Sequence, residues 1–426
     1  MLTTVIILFI TGYLGIVFEH YIKVNKAATA LVTGVVCWTA YILLGSGDIH
    51  LVEQQLTGHL GEIAGIIFFL FGAMTIVELI DAHDGFQLVI DRVQTTSKRK
   101  LVWIVTTITF LLSAVLDNLT TAIVMVSLLR KIMTGKNDRW MMTGLVVISA
   151  NAGGAWSPIG DVTTTMLWIG HQVTAGNIII KTLLPSLVNM LIPTFIIAAG
   201  MKGHFERPQK IEQNLNYTSS RRERNTVFWV GVGCLLFVPV FKTITHLPPY
   251  MGILFGLGLM WIITELIHSD KDEEEKGPLS VNHALRKVDT PSVLFFLGIL
   301  LSIGALQATG ALSNAATWMD GVLGNTSLIA IFTGLVSAVV DNVPLVAAAQ
   351  GMYGPERYPT DHYFWEFLAY CAGTGGSILI IGSAAGVAAM GIEKMDFIWY
   401  LKKIGWLALL GYAAGAAVFL LQQQLT

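Results

Sequence analysis

The chain has 426 residues, 54% of them hydrophobic and only 13% charged, with 26 Lys and Arg against 28 Asp and Glu. An ordinary soluble domain carries about a quarter charged residues, so a soluble enzyme or binding module is excluded as the body of the protein. No basic run interleaved with aromatics points to nucleic acid, and Cys37, Cys234 and Cys371 lie singly in apolar stretches without metal-ligand spacing.

The first apolar block, 2–18, lacks a basic n-region and an A-x-A-like cleavage site, and is expected to be a retained helix. Further spans are predicted at 27–44, 60–80, 141–170, 178–200, 226–242, 251–268, 292–310, 363–391 and 404–421. Each is near the ~20 residues that cross ~30 Å of hydrocarbon. Two more apolar stretches, 101–129 and 327–349, are interrupted by an Asp-Asn pair, in "SAVLDNLTTA" (113–122) and "SAVVDNVPLV" (337–346). If both crossed, Lys and Arg would divide over the two faces against the positive-inside tendency. If each enters and leaves on one face, all of the 26 Lys and Arg except Lys181, Lys242 and Arg357 fall on a single side.

The two stretches are therefore predicted to be re-entrant hairpins, with arms of roughly 12 to 14 residues reaching about 20 Å, past the midplane but not across. Arg92, Lys98, Arg99 and Lys100 precede the first, and Arg130, Lys131, Lys136 and Arg139 follow it, so its ends are cytoplasmic. The flanks of the second carry Arg357 alone, so its ends are external.

The hairpins belong to a repeat. The two Asp-Asn segments share Ser, Ala, Val, Asp and Asn in register, "NAGGAWSPIGD" (151–161) aligns with "GTGGSILIIGS" (373–383), and "FFLFG" (68–72) resembles "FFLG" (295–298). The same elements recur in the same order and opposite orientation, the inverted-repeat pattern of secondary transporters, whose site lies near the midplane at the repeat interface. Gly and Pro inside 151–160 predict an unwound middle, tolerable at that depth only where backbone is buried in protein or lines a wet cavity. The competing reading is that these glycines merely let helices pack closely. The expected fold class is an all-α polytopic membrane protein with two opposed hairpins and two broken helices. N-terminal scaffold helices (1–59) precede a first repeat (60–200), a cytoplasmic linker (201–225) and a second repeat (226–426) that includes scaffold helices at 226–268.

The tips "LDN" and "VDN", with "SANAGGAWSPIGDVTTT" and "CAGTGGSILIIGSAAGVAAMG" after them, resemble the NhaD-type sodium/proton antiporters of the ion transporter superfamily over essentially the whole chain. Relatives in that superfamily, the dicarboxylate and citrate carriers and arsenite permeases, carry Ser-Asn-Thr at the tips where this chain has Asp-Asn. The resemblance implies a homodimer in which a scaffold holds transport domains that slide in an elevator-like motion. It also implies exchange of Na⁺, and of Li⁺, for H⁺ across the lipid bilayer of a bacterial inner membrane, without a cofactor.

Asp117 and Asp161 in the first half and Asp341 in the second are the candidate carriers, unequally divided because Ser383 stands where Asp161 does. A lone ionised carboxylate at the bilayer centre is costly and persists either neutral or paired with a cation. Mutually exclusive binding of a proton and a sodium ion by such a group suffices for exchange. Na⁺ is expected at Asp117, Asn118 and Asp161, with hard oxygen ligands completed by Asn151, Thr163, Thr164, Ser337, Asn342 and Ser377. Asp341 is expected to be a second site or only a helix cap. Glu78, on one helix face with Asp81, is a candidate proton relay, against the alternative of a polar helix end. His83 and His171 are of the residue type that can titrate near neutrality and gate activity, although histidines at helix ends are more often interfacial. Trp156, inside the broken segment, is expected to shape the site.

Three other readings compete. A sodium-coupled citrate or dicarboxylate carrier, or an arsenite permease, would want a positive partner, and no Lys or Arg falls inside the hairpins or broken helices. An intramembrane aspartyl protease would use two Asp as an acid/base pair, but "SPIGD" lacks the Gly-x-Gly-Asp context. A channel would conduct without saturation or proton coupling. No enzyme is expected.

Overall fold

A computed structural model describes residues 1–45, 49–90, 95–205 and 219–425; Arg92 and most of the 201–225 linker lie outside them. Among the described residues the only β feature is a bridge between Ser97 and His204. Helices longer than two turns run, in the first half, as α1 (Leu2–Val17), α2 (Lys26–Leu44), α3 (Ile49–Ala82), α4 (Lys98–Ser113), α5 (Asn118–Ile132), α6 (Lys136–Gly154), α7 (Val162–Ile169) and α8 (Ala175–Gly200). The second half contributes α9 (Arg221–Thr245), α10 (Pro249–Ile267), α11 (Thr290–Ala308), α12 (Ala311–Leu323), α13 (Thr326–Val336), α14 (Asn342–Met352), α15 (Tyr363–Gly375), α16 (Ala384–Glu393) and α17 (Trp406–Leu425).

Helix ends fall where the local chemistry stops them. Ser220 and Glu223 close a capping box ahead of α9, Pro249 opens α10, and the Asn25 side chain accepts the Ala27 N–H ahead of α2. Seven helices among the described residues are long and apolar enough to cross a membrane: α2, α3, α8, α9, α10, α11, and α17 with its lead-in from Phe397. The 16-residue α1 and the two broken helices, α6–α7 and α15–α16, make up the remaining expected spans. At 34 residues, α3 extends well before the span predicted at 60–80. The interrupted stretches are helix–turn–helix units, α4–α5 and α13–α14, with arms of 16, 15, 11 and 11 residues. Missed from sequence was α12, an amphipathic helix that meets α13 at 109° and exposes Trp318 and Val322.

Two packing groups result. Helices α1, α2, α3, α9, α10 and α11 contact one another and form a frame of unbroken helices; α4 to α8 and α13 to α17 form a second unit that holds the hairpins and broken helices. The main helix contacts between them are α11 on α14 and α3 on α7. Outward faces expose Val32, Ile180, Phe195, Ile244, Phe255 and Leu266, an apolar surface suited to lipid and not to water.

The two halves make matching contacts. α4 packs on α6 as α13 packs on α15, and each second hairpin arm crosses to the other half, α5 on α16 and α14 on α7. Ser113 donates to the Ala150 carbonyl at 2.6 Å, and Ser337 donates to the Ala372 carbonyl at 2.8 Å. A Cβ on Gly153 would strike the Phe110 carbonyl, and one on Gly375 the Gly334 carbonyl. Both readings of these glycines therefore hold: the helices stop at Gly154 and Gly375, and their last turns are bare so that a hairpin backbone can lie against them.

Candidate ion-binding site

Four half-helices begin at one place. Asp117 caps α5, Asp161 caps α7, Asp341 caps α14 and Ser383 caps α16, so four helix N-termini converge with their positive dipole ends inward. Asp161 and Ser383 share one backbone conformation, φ −145°, ψ 147° and φ −140°, ψ 148° respectively. Capping does not use up the carboxylates. In each aspartate Oδ1 accepts the cap N–H, from Thr120 (2.8 Å), Thr163 (2.8 Å) and Val343 (3.4 Å), leaving Oδ2 for another partner.

Those second partners differ. Asp161, 2% exposed, takes the Asn118 amide on Oδ2 at 2.6 Å and the Asn342 amide at 3.3 Å on each oxygen, so both hairpin tips close on one carboxylate. Thr163 Oγ1 adds a bond to Oδ1 at 2.7 Å. Asp117 Oδ2 accepts from Thr120 Oγ1 at 2.8 Å, within its own helix. Asp341 Oδ2 faces the ammonium of Lys26, 3.6 Å away at the start of α2.

The network continues behind Asp161. Asn118 also donates to Asn151 Oδ1 (3.1 Å), and Asn151 donates to Ser377 Oγ (2.9 Å) and Ser383 Oγ (3.0 Å). Asn118, Asn151, Asp161, Thr163, Asn342 and Ser377 are thus brought into one cluster. Thr164 donates to the Asp161 carbonyl at 2.9 Å and steadies the cap, while Ser337 serves the hairpin contact described above. In front of Asp161 lies a cavity of about 60 Å³ between the frame and the tips, lined by Asp117, Asn118, Asp161, Asp341 and Asn342 among apolar residues such as Phe69 and Phe296. It has room for about four to six water molecules at roughly 10–15 Å³ each. Among the described residues no Lys or Arg lines it.

Other predicted residues lie apart. Met74 and Val77 of α3 line the cavity; Glu78 does not, and sits half-buried within electrostatic reach of Asp81 and Lys287. Trp156 stacks on Phe110 at 5.9 Å between centroids, behind the broken segment. His83 pairs with His268, and His171 ends α7 at φ 62° on the surface. Groups of three or more His, Cys, Asp or Glu that could hold a metal are absent among the described residues. The sequence reading set Ser383 against Asp161 without giving it a place in the site, and it missed Lys26. The repeat alignment, which pairs Ser383 with Asp161, carried the signal for the first; nothing in the sequence linked Lys26 to a tip lying over three hundred residues away.

Two hairpins and two broken helices meeting at a buried carboxylate, in an apolar helical body, define a polytopic membrane transporter. The chain belongs to the citrate transporter family (CitMHS), whose model matches residues 6–366, and within it groups with the sodium/proton antiporters, as the resemblance at the tips implied. It is 48% identical to sodium/proton antiporter 1 of Arabidopsis thaliana, over 97% of this chain and 71% of that one. It is 45% identical to sodium/proton antiporter 2 of the same plant, over 97% and 98%. Identity to the Na⁺/H⁺ antiporter NhaD of Vibrio cholerae is 28%, over 98% and 91%. In fold alone it is similar to the crystal structure of the Alcanivorax borkumensis YdaH transporter, with a TM-score of 0.54 at 11% identity, covering 93% of this chain and 97% of that one.

Proposed function

We propose that the protein is a secondary antiporter that exports Na⁺, and Li⁺, in exchange for entering protons, and that cation and proton compete for Asp161 with Asp117 beside it. The observation that carries this is the Asp161 carboxylate, buried and grasped by an amide from each hairpin tip. Asn118 and Asn342 present N–H groups to it; turned over, the same amides offer Oδ1 to a cation. The site can thus satisfy the carboxylate with or without an ion, which a carrier that returns loaded with a proton requires. Names of the similar proteins favour sodium and protons over an anion. So does the charge, since three carboxylates line the cavity and the nearby Lys26 already faces one of them.

The division into frame and hairpin unit supports an elevator motion in a homodimer, with the hairpins re-entrant from opposite faces and the basic face cytoplasmic in a bacterial inner membrane. The test is cation-induced collapse of a preformed pH gradient in vesicles holding the purified protein, with NaCl, LiCl, KCl and sodium-free citrate added separately. Collapse by Na⁺ and Li⁺ but not citrate is expected. No response to any cation from folded protein would sink the antiporter reading and move the weight to an anion carrier.

A further inference from the structure

We propose that Lys26 is a resident counter-cation of the second hairpin: it occupies Asp341 and thereby restricts Na⁺/H⁺ competition to the first-half carboxylates. The inference rests on the exchange reading above and deepens it, because it assigns the number of protons the site gives up. Lys26 belongs to the frame and Asp341 to the hairpin unit, so the pair crosses the boundary between the two groups.

Its ammonium is held in place. Nζ lies 4.5 Å from the centroid of the Phe295 ring on α11, a cation–π contact, and 3.6 Å from Asp341 Oδ2. The backbone beneath is fixed as well, since the Lys26 N–H donates to Glu19 Oε1 at 3.1 Å and Asn25 caps the helix. With side chains 30% and 19% exposed, the pair is neither a free surface contact nor a sealed one. That setting suits an interaction which persists but can be opened.

The titratable and charged groups around Asp341 are Tyr13 from α1, Lys26 from α2 and Asp161 at the head of α7, with Asp117 across the cavity. Lys26 is the one positive charge among them. Oδ1 of Asp341 stays on its cap, and Lys26 faces Oδ2. Among the described residues Asp161, by contrast, has neutral donors, and Asp117 has those of its own helix, Thr120 and the Leu119 backbone. Two of the three carboxylates therefore lack a fixed cation, and these are the ones free to trade a proton for sodium. A second lysine bridges the same two groups without meeting a carboxylate: Lys242 donates to the Trp168 carbonyl at 2.7 Å, at the far end of α7. It provides an internal control.

The experiment counts protons released when NaCl is added to purified full-length protein in weakly buffered detergent, at several pH values, for wild type, K26M, K26R, D341N, K26M/D341N and K242M. In K26M the bare Asp341 takes up a proton and surrenders it to Na⁺, so release rises above wild type by up to one further proton per chain. K26R restores the wild-type count, K26M/D341N loses the extra proton, and K242M does not gain it. Wild-type release that is unchanged in folded K26M overturns this proposal and leaves the exchange reading standing. An increase that persists in K26M/D341N also overturns it, because the proton would not come from Asp341. If folded wild-type protein releases no proton with Na⁺, the exchange reading fails and this proposal with it.

Discussion

At the first hairpin tip Asp117 sits at φ 143°, ψ 160°, with its oxygens on Thr120 of its own helix; at the second, Asp341 sits at φ −50°, ψ 138°, and faces a lysine of the frame. The Asp-Asn motif is the same. The first backbone lies in a region populated essentially by glycine, at a cost of about 1–3 kcal/mol, and the second lies in ordinary extended space. The strained tip turns its carboxylate to the cavity without a frame cation, while the relaxed tip is tied to the frame. A duplicated motif thus acquires two roles from what stands beside it and not from its own residues.

The sharpest way to break this comparison is to neutralise each of the three carboxylates in turn. Asp161→Asn and Asp117→Asn should bring Na⁺-dependent collapse of a pH gradient down to that of protein-free vesicles, because an amide keeps the shape but cannot alternate between proton and cation. Asp341→Asn should reduce exchange and leave it measurable. Near-normal exchange in both first-half variants would remove them from the carrier role, and equal loss at all three positions would erase the asymmetry.

The hairpins differ at their open ends too. Arg139 Nε reaches both oxygens of Glu393, at 2.9 and 2.8 Å, and Arg130 Nη1 donates to the Ile392 carbonyl at 3.3 Å, clamping the end of the first hairpin to α16. The Glu393 side chain is 0% exposed. Arg139→Met would leave it only the longer 4.0 Å pairing with Arg130 Nε and should cost about 3 kcal/mol of stability in detergent. Near the second hairpin, Arg357 pairs with Asp320 where 49% and 27% of the side chains are exposed. Arg357→Met should cost no more than about 1 kcal/mol. Comparable losses in denaturant unfolding would contradict this.

Strain offers a smaller test with opposite signs. Asp117→Gly relieves φ 143° and gives up a cap worth only a few tenths of a kcal/mol against glycine, so it should raise stability by about 1 kcal/mol while exchange is lost. Asp341→Gly relieves nothing, adds chain entropy and orphans Lys26, so it should lower stability by about 1 kcal/mol. Destabilisation by both substitutions would show that the first tip stores no strain.

Much of this was legible in the sequence because it rests on local chemistry. Apolar runs, the Asp-Asn interruptions and the Gly-rich breaks marked the helices, the tips and the halves, and N-capping is written in the residue that precedes each half-helix. The cluster around Asp161 could be assembled from the repeat, since residues that align in the two halves meet at one centre. Lys26 could not, because its role depends on where α2 packs against α11, and helix packing between distant segments leaves no period in the chain. α12 was hidden for another reason: an amphipathic helix with Asn314 and Asp320 reads as a polar connection when hydropathy alone is followed. Of the two histidines singled out, His171 takes the Thr360 hydroxyl on its backbone carbonyl, while His83 acquired a partner for its ring.

That partner is His268, and the pair lies in the frame between the ends of α3 and α10, away from both tips. His83 Nδ1 donates to the Leu79 carbonyl at 2.7 Å, so its Nε2 accepts from His268 Nε2 at 2.8 Å, a tautomer assignment fixed by the hydrogen-bond pattern. Burial holds His83 below the ordinary imidazole value, and burial, with Lys271 nearby, pushes His268 down to about 4. Glu223 opposes the shift at both rings, Asp84 opposes it at His83, and Lys276 adds to it at His268. Unfolded histidine titrates near 6.5, so between that pH and about 4 the unfolded chain binds more protons than the folded one. The pair's stabilisation is complete above pH 6.5 and is lost as pH falls through that window. The melting temperature of the purified protein should therefore drop between pH 7.5 and 5, and His268→Gln should flatten the drop. Because the pair belongs to the frame, the ratio of exchange between Asp341→Asn and wild type should stay constant in His268→Gln; a change in that ratio would mean that the frame's titration reaches the hairpins.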